Sequence, residues 1–246
     1  MARSVRDIAA ALEQHFPDGP PADATVRNQG FDYLPQHWTS RWPNSLPVPE
    51  VLLDGDRKHL SRQDVFSISA ATTDTDEDLV NLYVAICAWG TGTKAQRVAR
   101  AVRPLHETGA VAALARSRDA AMSGHPTEAY RRLNTTGEDR IKHFGPAFFT
   151  KWMYFSAYDT NSDRESPAPL ILDSRVAKAL DWGSQGWDSK DYGRYLELAT
   201  SIQATWCPRE PSRDSATTHV IEYALFKLGG KPEVKPLDRP HSIDGR

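Results

Sequence analysis

Apolar residues recur with a helical period along most of this 246-residue chain. Ser4 to Phe16 places Val5, Ile8, Ala9, Leu12 and Phe16 three and four apart, the spacing of one helix face. Leu79 to Trp89 is apolar enough for a central core helix. Asp74-Thr-Asp-Glu-Asp78 before it offers a cap and an acidic first turn, which the helix dipole favours. Gly90-Thr-Gly92 breaks that helix, and periodic segments follow over Thr93–His106, Ala110–Met122 and Pro126–Leu133. Beyond Gly145 the pattern predicts a helix through Lys151, then Ser174–Trp182 capped by Asp173, Ser189–Thr205, and Ser212–Leu228 stopped by Gly229-Gly230. Ser61-Arg-Gln-Asp64 has the spacing of a capping box, with Asp in the usual Glu place, and opens a short helix.

Residues 17–60 depart from this pattern. They are rich in proline, carry Phe31, Tyr33, Trp38 and Trp42 without sustained periodicity, and read as an irregular arm with a short strand near Val51-Leu52-Leu53. Asp159 to Pro169 reads as a loop, and the residues from Lys231 as a poorly ordered tail. The chain is therefore expected to be all-α, with an N-terminal helix and arm over 1–60, a helical domain over 61–230 and a tail over 231–246.

Composition adds exclusions. With 39% hydrophobic and 25% charged residues, the chain has the make-up of a soluble globular protein. No apolar run approaches the roughly 18 residues of a membrane span, and the start lacks a signal-peptide core. Cys87 and Cys207 are too few for a disulfide framework or an iron–sulfur cluster, and the eight histidines form no metal motif. A cytoplasmic monomer without metal or cofactor is the expectation. Charge is uneven: residues 1–90 sum to −6, residues 91–151 to +6 and residues 152–246 to −2. Lys94, Arg97, Arg100 and Arg103 recur every three residues in the positive segment. That is the footprint of a localised phosphate-binding surface, although a solvated helix face accounts for the same stripe.

Lys151 ends the positive segment inside Pro146-Ala-Phe-Phe-Thr-Lys-Trp-Met-Tyr-Phe-Ser-Ala-Tyr158. On a helix it shares a face with Ala147, Phe148, Tyr154 and Phe155. Burying an ammonium disfavours its charge, which is one route to a nucleophilic amine. The alternative is a stem that packs while the head reaches water or a carboxylate.

Ile141-Lys-His-Phe-Gly-Pro-Ala-Phe-Phe-Thr-Lys151, followed by Leu170-Ile-Leu-Asp-Ser-Arg-Val176, resembles the helix-hairpin-helix DNA glycosylase superfamily, in its 8-oxoguanine DNA glycosylase branch. Leu82-Tyr-Val-Ala-Ile-Cys-Ala-Trp-Gly-Thr-Gly-Thr-Lys94 is similar to that family's first core helices, and the likeness covers roughly 79–228. The resemblance implies a helical bundle of two closely packed lobes with an irregular N-terminal arm. It implies Lys151 as the Schiff-base nucleophile and Asp173 as its carboxylate partner, acting on duplex DNA that contains a modified base. Gly92, Thr93, Lys94, Arg97, Arg140, Lys142, His143, Gly145 and Arg175 are then the expected DNA contacts. Phe148, Phe149, Trp152, His219 and Tyr223, with Phe226 nearby, are the candidates for holding a flipped base. The departure is the hairpin, where the family's Gly-x-Gly-x-Lys is reduced to a single Gly145 six residues before Lys151. A non-catalytic DNA-binding protein of the same fold is the alternative reading.

Overall fold

The computed structural model describes residues 3–159, 167–207 and 218–230. Among them are twelve α-helices and one two-stranded sheet, 62% helix against 4% strand, which makes the fold all-α. In chain order the elements are α1 (Val5–His15), α2 (Asp23–Arg27), β1 (Gly30–Tyr33), α3 (Pro35–Thr39), β2 (Lys58–Ser61), α4 (Arg62–Ala71), α5 (Asp76–Thr91), α6 (Ala95–Val102), α7 (Ala110–Met122), α8 (Pro126–Leu133), α9 (Pro146–Ala157), α10 (Ser174–Ala179), α11 (Ser189–Trp206) and α12 (Thr218–Leu228).

Local chemistry explains the starts. Ser4 and Ser61 each close a capping box with the aspartate three residues on, opening α1 and α4. Thr75 caps α5, whose first turn carries Asp76, Glu77 and Asp78. Helix α5 is buried almost all round and packs against α4, α6, α7 and α9. One cluster of buried side chains runs from Ile8 and Leu12 of α1 through Trp38 and Leu52 to the faces of α5, α9 and α11.

One element and three helix ends differ from the sequence reading. The strand expected near Val51 is a 3-10 turn over Glu50–Leu52, and the Val51 amide donates to Asn81 Oδ1 at 3.3 Å instead of to a strand. The sheet pairs β1 with β2 antiparallel, Gly30 opposite Ser61 and Tyr33 opposite Lys58. Helix α5 continues through Gly90, and Gly92, at φ +60°, is the true stop. After Val102 the α-helix gives way to a 3-10 turn over Arg103–His106, because Pro104 has no N–H to continue it. Helix α10 ends at Ala179, where the chain turns through Asp181 at φ +60°. The expected start of the last helix at Ser212, the tail from Lys231 and most of the 159–169 loop lie outside the described residues.

A buried polar seam ties distant elements together. Arg62 Nη1 donates to Glu222 Oε2 at 2.6 Å and to the Tyr154 hydroxyl at 3.1 Å, while Nε donates to Gln29 Oε1 at 2.8 Å. The Tyr154 hydroxyl lies 3.0 Å from His219 Nδ1, and His219 Nε2 lies 2.5 Å from Asp23 Oδ1. The Tyr154 hydroxyl and the Asp23 carboxylate thus bracket the two ring nitrogens of His219. The seam joins α2, the start of α4, α9 and α12 around the core.

Candidate active site

Helix α9 begins at Gly145, with Pro146 in its first turn, where a missing N–H is harmless. Its middle is almost wholly buried, and Lys151 is only 7% exposed. The lysine stem lies across Gly90 of α5: a Cβ there would sit 3.2 Å from Lys151 Cδ and 3.3 Å from Cε. Glycine leaves room for the stem at a point where any side chain would press on it. Lys151 Nζ donates to the Ala147 carbonyl at 2.7 Å and faces Asp173 Oδ2 at 3.6 Å.

Asp173 is placed by the extended segment before it. The Thr150 hydroxyl, next to Lys151 in sequence, donates to the Pro146 carbonyl at 2.7 Å and accepts the Leu172 amide at 3.1 Å. The Tyr192 hydroxyl accepts the Leu170 amide at 3.1 Å and donates to its carbonyl at 2.9 Å. The Tyr195 hydroxyl donates to the Ile171 carbonyl at 2.9 Å. Three buried hydroxyls thus lace Leu170–Leu172 against α9 and α11 and satisfy a segment that has no strand partner. Asp173 then divides its oxygens: Oδ1 caps α10 by accepting the Arg175 and Val176 amides at 2.9 and 3.2 Å, and Oδ2 is left toward Lys151.

Lys151 and Asp173 open onto a cleft of about 790 Å³. Its apolar walls come from Phe31, Trp89, Phe148 and Phe226, and its basic side from Lys94, just before α6, and Arg97 and Arg100 on it. Arg175 lies 4.6 Å from the centre of the Phe226 ring, close enough for a cation–π contact. Opposite stands the β-hairpin, where Asp32 accepts from Arg57 Nε at 2.8 Å and lies 2.7 Å from His59 Nδ1. Those two hydrogen bonds, His59 first, hold the Asp32 carboxyl below its ordinary range. Behind the lysine, burial pushes the Cys87 thiol up to about 12, with Tyr83 and the Lys151 charge acting the other way. Cys87 is thus a packed thiol without nucleophilic character.

Of the residues singled out from sequence, Gly92, Thr93, Lys94, Arg97, Phe148 and Arg175 meet Lys151 and Asp173 around this cleft. Others do not. Phe149 packs on Tyr130 and Phe144, and Trp152 donates to Ser117 Oγ and lies against Tyr83. Each is one position past a cleft residue of α9, and that rotation of about 100° turns it into the core. His219 is stacked on Tyr158 within the polar seam, and Tyr223 joins Val26 and Val220 in a satellite cluster. On α12 it is Glu222 and Phe226 that line the cleft. Arg140, Lys142, His143 and Gly145 lie exposed in the turn before α9 and do not line it, and Lys142 pairs with Glu107 at 3.9 Å. Sequence reasoning missed the hairpin residues Phe31, Asp32, Arg57 and His59, whose strands are too short to advertise a period. It also missed Glu222, a lone acid in an apolar helix, which carries the same signal that drew attention to Lys151.

Among the described residues no group of three or more histidine, cysteine or acidic side chains is placed to hold a metal, and no helix is long and apolar enough to cross a membrane.

The all-α frame and the lysine-bearing helix α9 fit the class of helical DNA glycosylases. The chain belongs to the family described as "Putative 8-oxoguanine DNA glycosylase OGG-like protein", whose model matches residues 24–226. The match begins in α2 and ends in α12, so it takes in the β-hairpin and arm as well as the 79–228 span of the sequence resemblance. No curated protein and no solved structure matches the chain significantly.

Proposed function

We propose that the protein is a bifunctional DNA glycosylase that excises a modified base, oxidised guanine in the first place, and then cleaves the strand through a lysine Schiff base. The observation that carries this reading is the buried Lys151 amine 3.6 Å from Asp173 Oδ2 at a cleft large enough for a flipped nucleotide. The Lys151 amine attacks C1′ of the flipped deoxyribose as the C1′–N bond breaks and the base departs with the bond's electron pair. In the resulting N,O-acetal, O4′ takes back the proton held by Asp173 as the C1′–O4′ bond breaks, leaving a Schiff base to Nζ. Removal of a C2′ proton then expels the 3′ phosphate by β-elimination. Asp173 Oδ2 takes the proton released by the amine and faces the positive charge that develops on the sugar. Its second oxygen is fixed by the helix cap, so the group arrives preorganised.

Lys94, Arg97, Arg100 and Arg175 supply the phosphate contacts of the duplex, and Phe148 and Phe226 give the flipped base apolar faces. The hydrogen bond from Lys151 Nζ to the Ala147 carbonyl favours the second reading, a DNA-binding protein in which the lysine is structural. Base release and strand nicking on duplexes bearing 8-oxoguanine and other modified bases separate the two. The proposal expects both activities, with Asp173→Asn slowing release on the order of 100-fold or more. Lesion binding without release of any base would leave the second reading standing.

A further inference from the structure

The β-hairpin puts a second set of polar side chains on the cleft wall. Alternation along a strand sends every second residue to one face, so Gly30 and Asp32 of β1 share a face with His59 of β2 and with Arg57 just before it. Tyr33 and Leu60 turn to the core. Asp32 and His59 stand directly opposite in the ladder, and Gly30, Asp32, Arg57 and His59 all line the cleft that holds Lys151 and Asp173. Asp32 Oδ1 lies 2.7 Å from His59 Nδ1, and its Oδ2 accepts from Arg57 Nε at 2.8 Å. A carboxylate only accepts, so in the neutral imidazole Nδ1 carries the hydrogen and Nε2 keeps its lone pair. Nε2 has no hydrogen-bond partner among the described residues, and it lies over Gly30, where any Cβ would collide with it. The hairpin is fixed to the helix end against which the lysine lies. Phe31 packs on Trp89 with ring centres 5.4 Å apart, Trp89 Nε1 donates to the Gln29 carbonyl at 3.0 Å, and a Cβ at Gly92 would lie 3.6 Å from the Asp32 carbonyl oxygen. Gly90, which bears on the Lys151 stem, is two residues from Gly92, a separation of roughly 5 Å. An imidazole oriented by a carboxylate, with its other nitrogen unengaged at a cleft that holds a buried amine, has the arrangement of a proton acceptor.

We propose that His59 Nε2 is the base that takes the C2′ proton in strand cleavage, with Asp32 as its positioning residue. The proposal rests on the glycosylase reading above and supplies the proton acceptor which that reading leaves unassigned. Asp173 Oδ2 faces Nζ, so in the Schiff base it stands beside the iminium nitrogen, and C2′ lies beyond C1′. Nε2 takes the C2′ proton. The electrons of that C–H bond form C1′=C2′, and the iminium π pair returns to nitrogen. The nitrogen pair of this enamine then restores the iminium, the C1′=C2′ pair moves to C2′=C3′, and the C3′–O bond breaks with its pair on the 3′ phosphate. The proton stays on the imidazole, where Asp32 stabilises the imidazolium until water removes it.

The test separates base release from strand cleavage. One arm follows release of 8-oxoguanine from a duplex, and the other follows nicking of a duplex that already holds an abasic site. His59→Gln, at an exposed strand position, is expected to slow nicking on the order of 100-fold more than release. Borohydride should then trap from His59→Gln mainly an adduct that retains a label at the 3′ end of the strand, where wild type gives the shortened one. Asp32→Asn should slow nicking on the order of tenfold more than release. The imidazole nitrogen NMR signals that disappear in His59→Gln should report the Nδ1–H tautomer in wild type, and Asp32→Asn should lose that preference. Nicking by His59→Gln at the wild-type rate, or a neutral wild-type His59 protonated on Nε2, overturns the proposal and leaves the glycosylase reading intact. Equal slowing of release and nicking assigns the hairpin to binding and also overturns it. No nicking and no trapped species from wild type removes both.

Discussion

Alanine at Gly90 should separate stability from activity, because one backbone position serves both. Gly90 lies inside the last turn of α5, where an alanine restricts the unfolded chain and favours the helix by roughly 0.5–1 kcal/mol. Its new Cβ would lie 3.2 and 3.3 Å from Lys151 Cδ and Cε, so the lysine stem must give by a few tenths of an ångström. That stem is flexible, and its displacement absorbs most of the strain. The folded state is then expected to be unchanged or stabilised, with Tm higher by about 0–4 °C. Catalysis is less forgiving. A misplacement near 1 Å can lose on the order of 100-fold, so a few tenths should lose roughly 3–10-fold. The assay is the single-turnover rate of borohydride trapping on an 8-oxoguanine duplex, run beside a thermal melt. Gly90→Ala protein that melts at or above wild type and traps at the wild-type rate would refute the claim that the Gly90 contact positions Lys151.

Other outcomes follow from the seam and the basic rim. Arg62→Ala leaves Glu222 buried and unpaired and should destabilise by roughly 3–5 kcal/mol in urea unfolding, whereas Arg62→Met with Glu222→Leu should recover most of that loss. The His219 hydrogen bond holds Asp23 down to about 2 from 3.8, and a folded value below the unfolded one stabilises above pH 4. That stability, ~2 kcal/mol, should fade as pH falls from about 4 through about 2, and Asp23→Asn should flatten this acid limb in melts across pH. Arg97→Ala and Arg100→Ala should each weaken binding to lesion and undamaged duplex alike. Each should reduce the log–log salt slope by about 1, and an unchanged slope would assign the stripe to solvent.

Much of this arrangement was legible in the sequence because it rests on local chemistry. Helices α7 and α8 run over the spans their periodicity marks, from Ala110 to Met122 and from Pro126 to Leu133. Asp173 is a cap that any reader of Asp-Ser-Arg-Val would expect, and Lys151 is conspicuous among aromatics. What stayed hidden depends on rotation and distance. Phe148 and Phe149 look equivalent in a string, yet one faces the cleft and the other Tyr130, because helix register decides. On α12 the sequence offers His219, Tyr223 and Phe226 together, yet of these only Phe226 lines the cleft, beside Glu222, for the same reason. The hairpin pairs Gly30 with Ser61 across a long proline-rich connection, a contact no local pattern encodes. Three hydroxyls, those of Thr150, Tyr192 and Tyr195, place Asp173, and each would pass for an ordinary core polar group in the sequence alone.

The central claim is that Lys151 is the nucleophile, and trapping with residue assignment tests it most directly. Wild-type protein incubated with an 8-oxoguanine duplex and borohydride should give a covalent protein–DNA species whose adduct maps to Lys151 by peptide mass spectrometry. Lys151→Gln should give none while keeping its fold and its affinity for the lesion duplex. An adduct on another residue, undiminished trapping in Lys151→Gln, or base release by wild type with no trapped species would contradict the account.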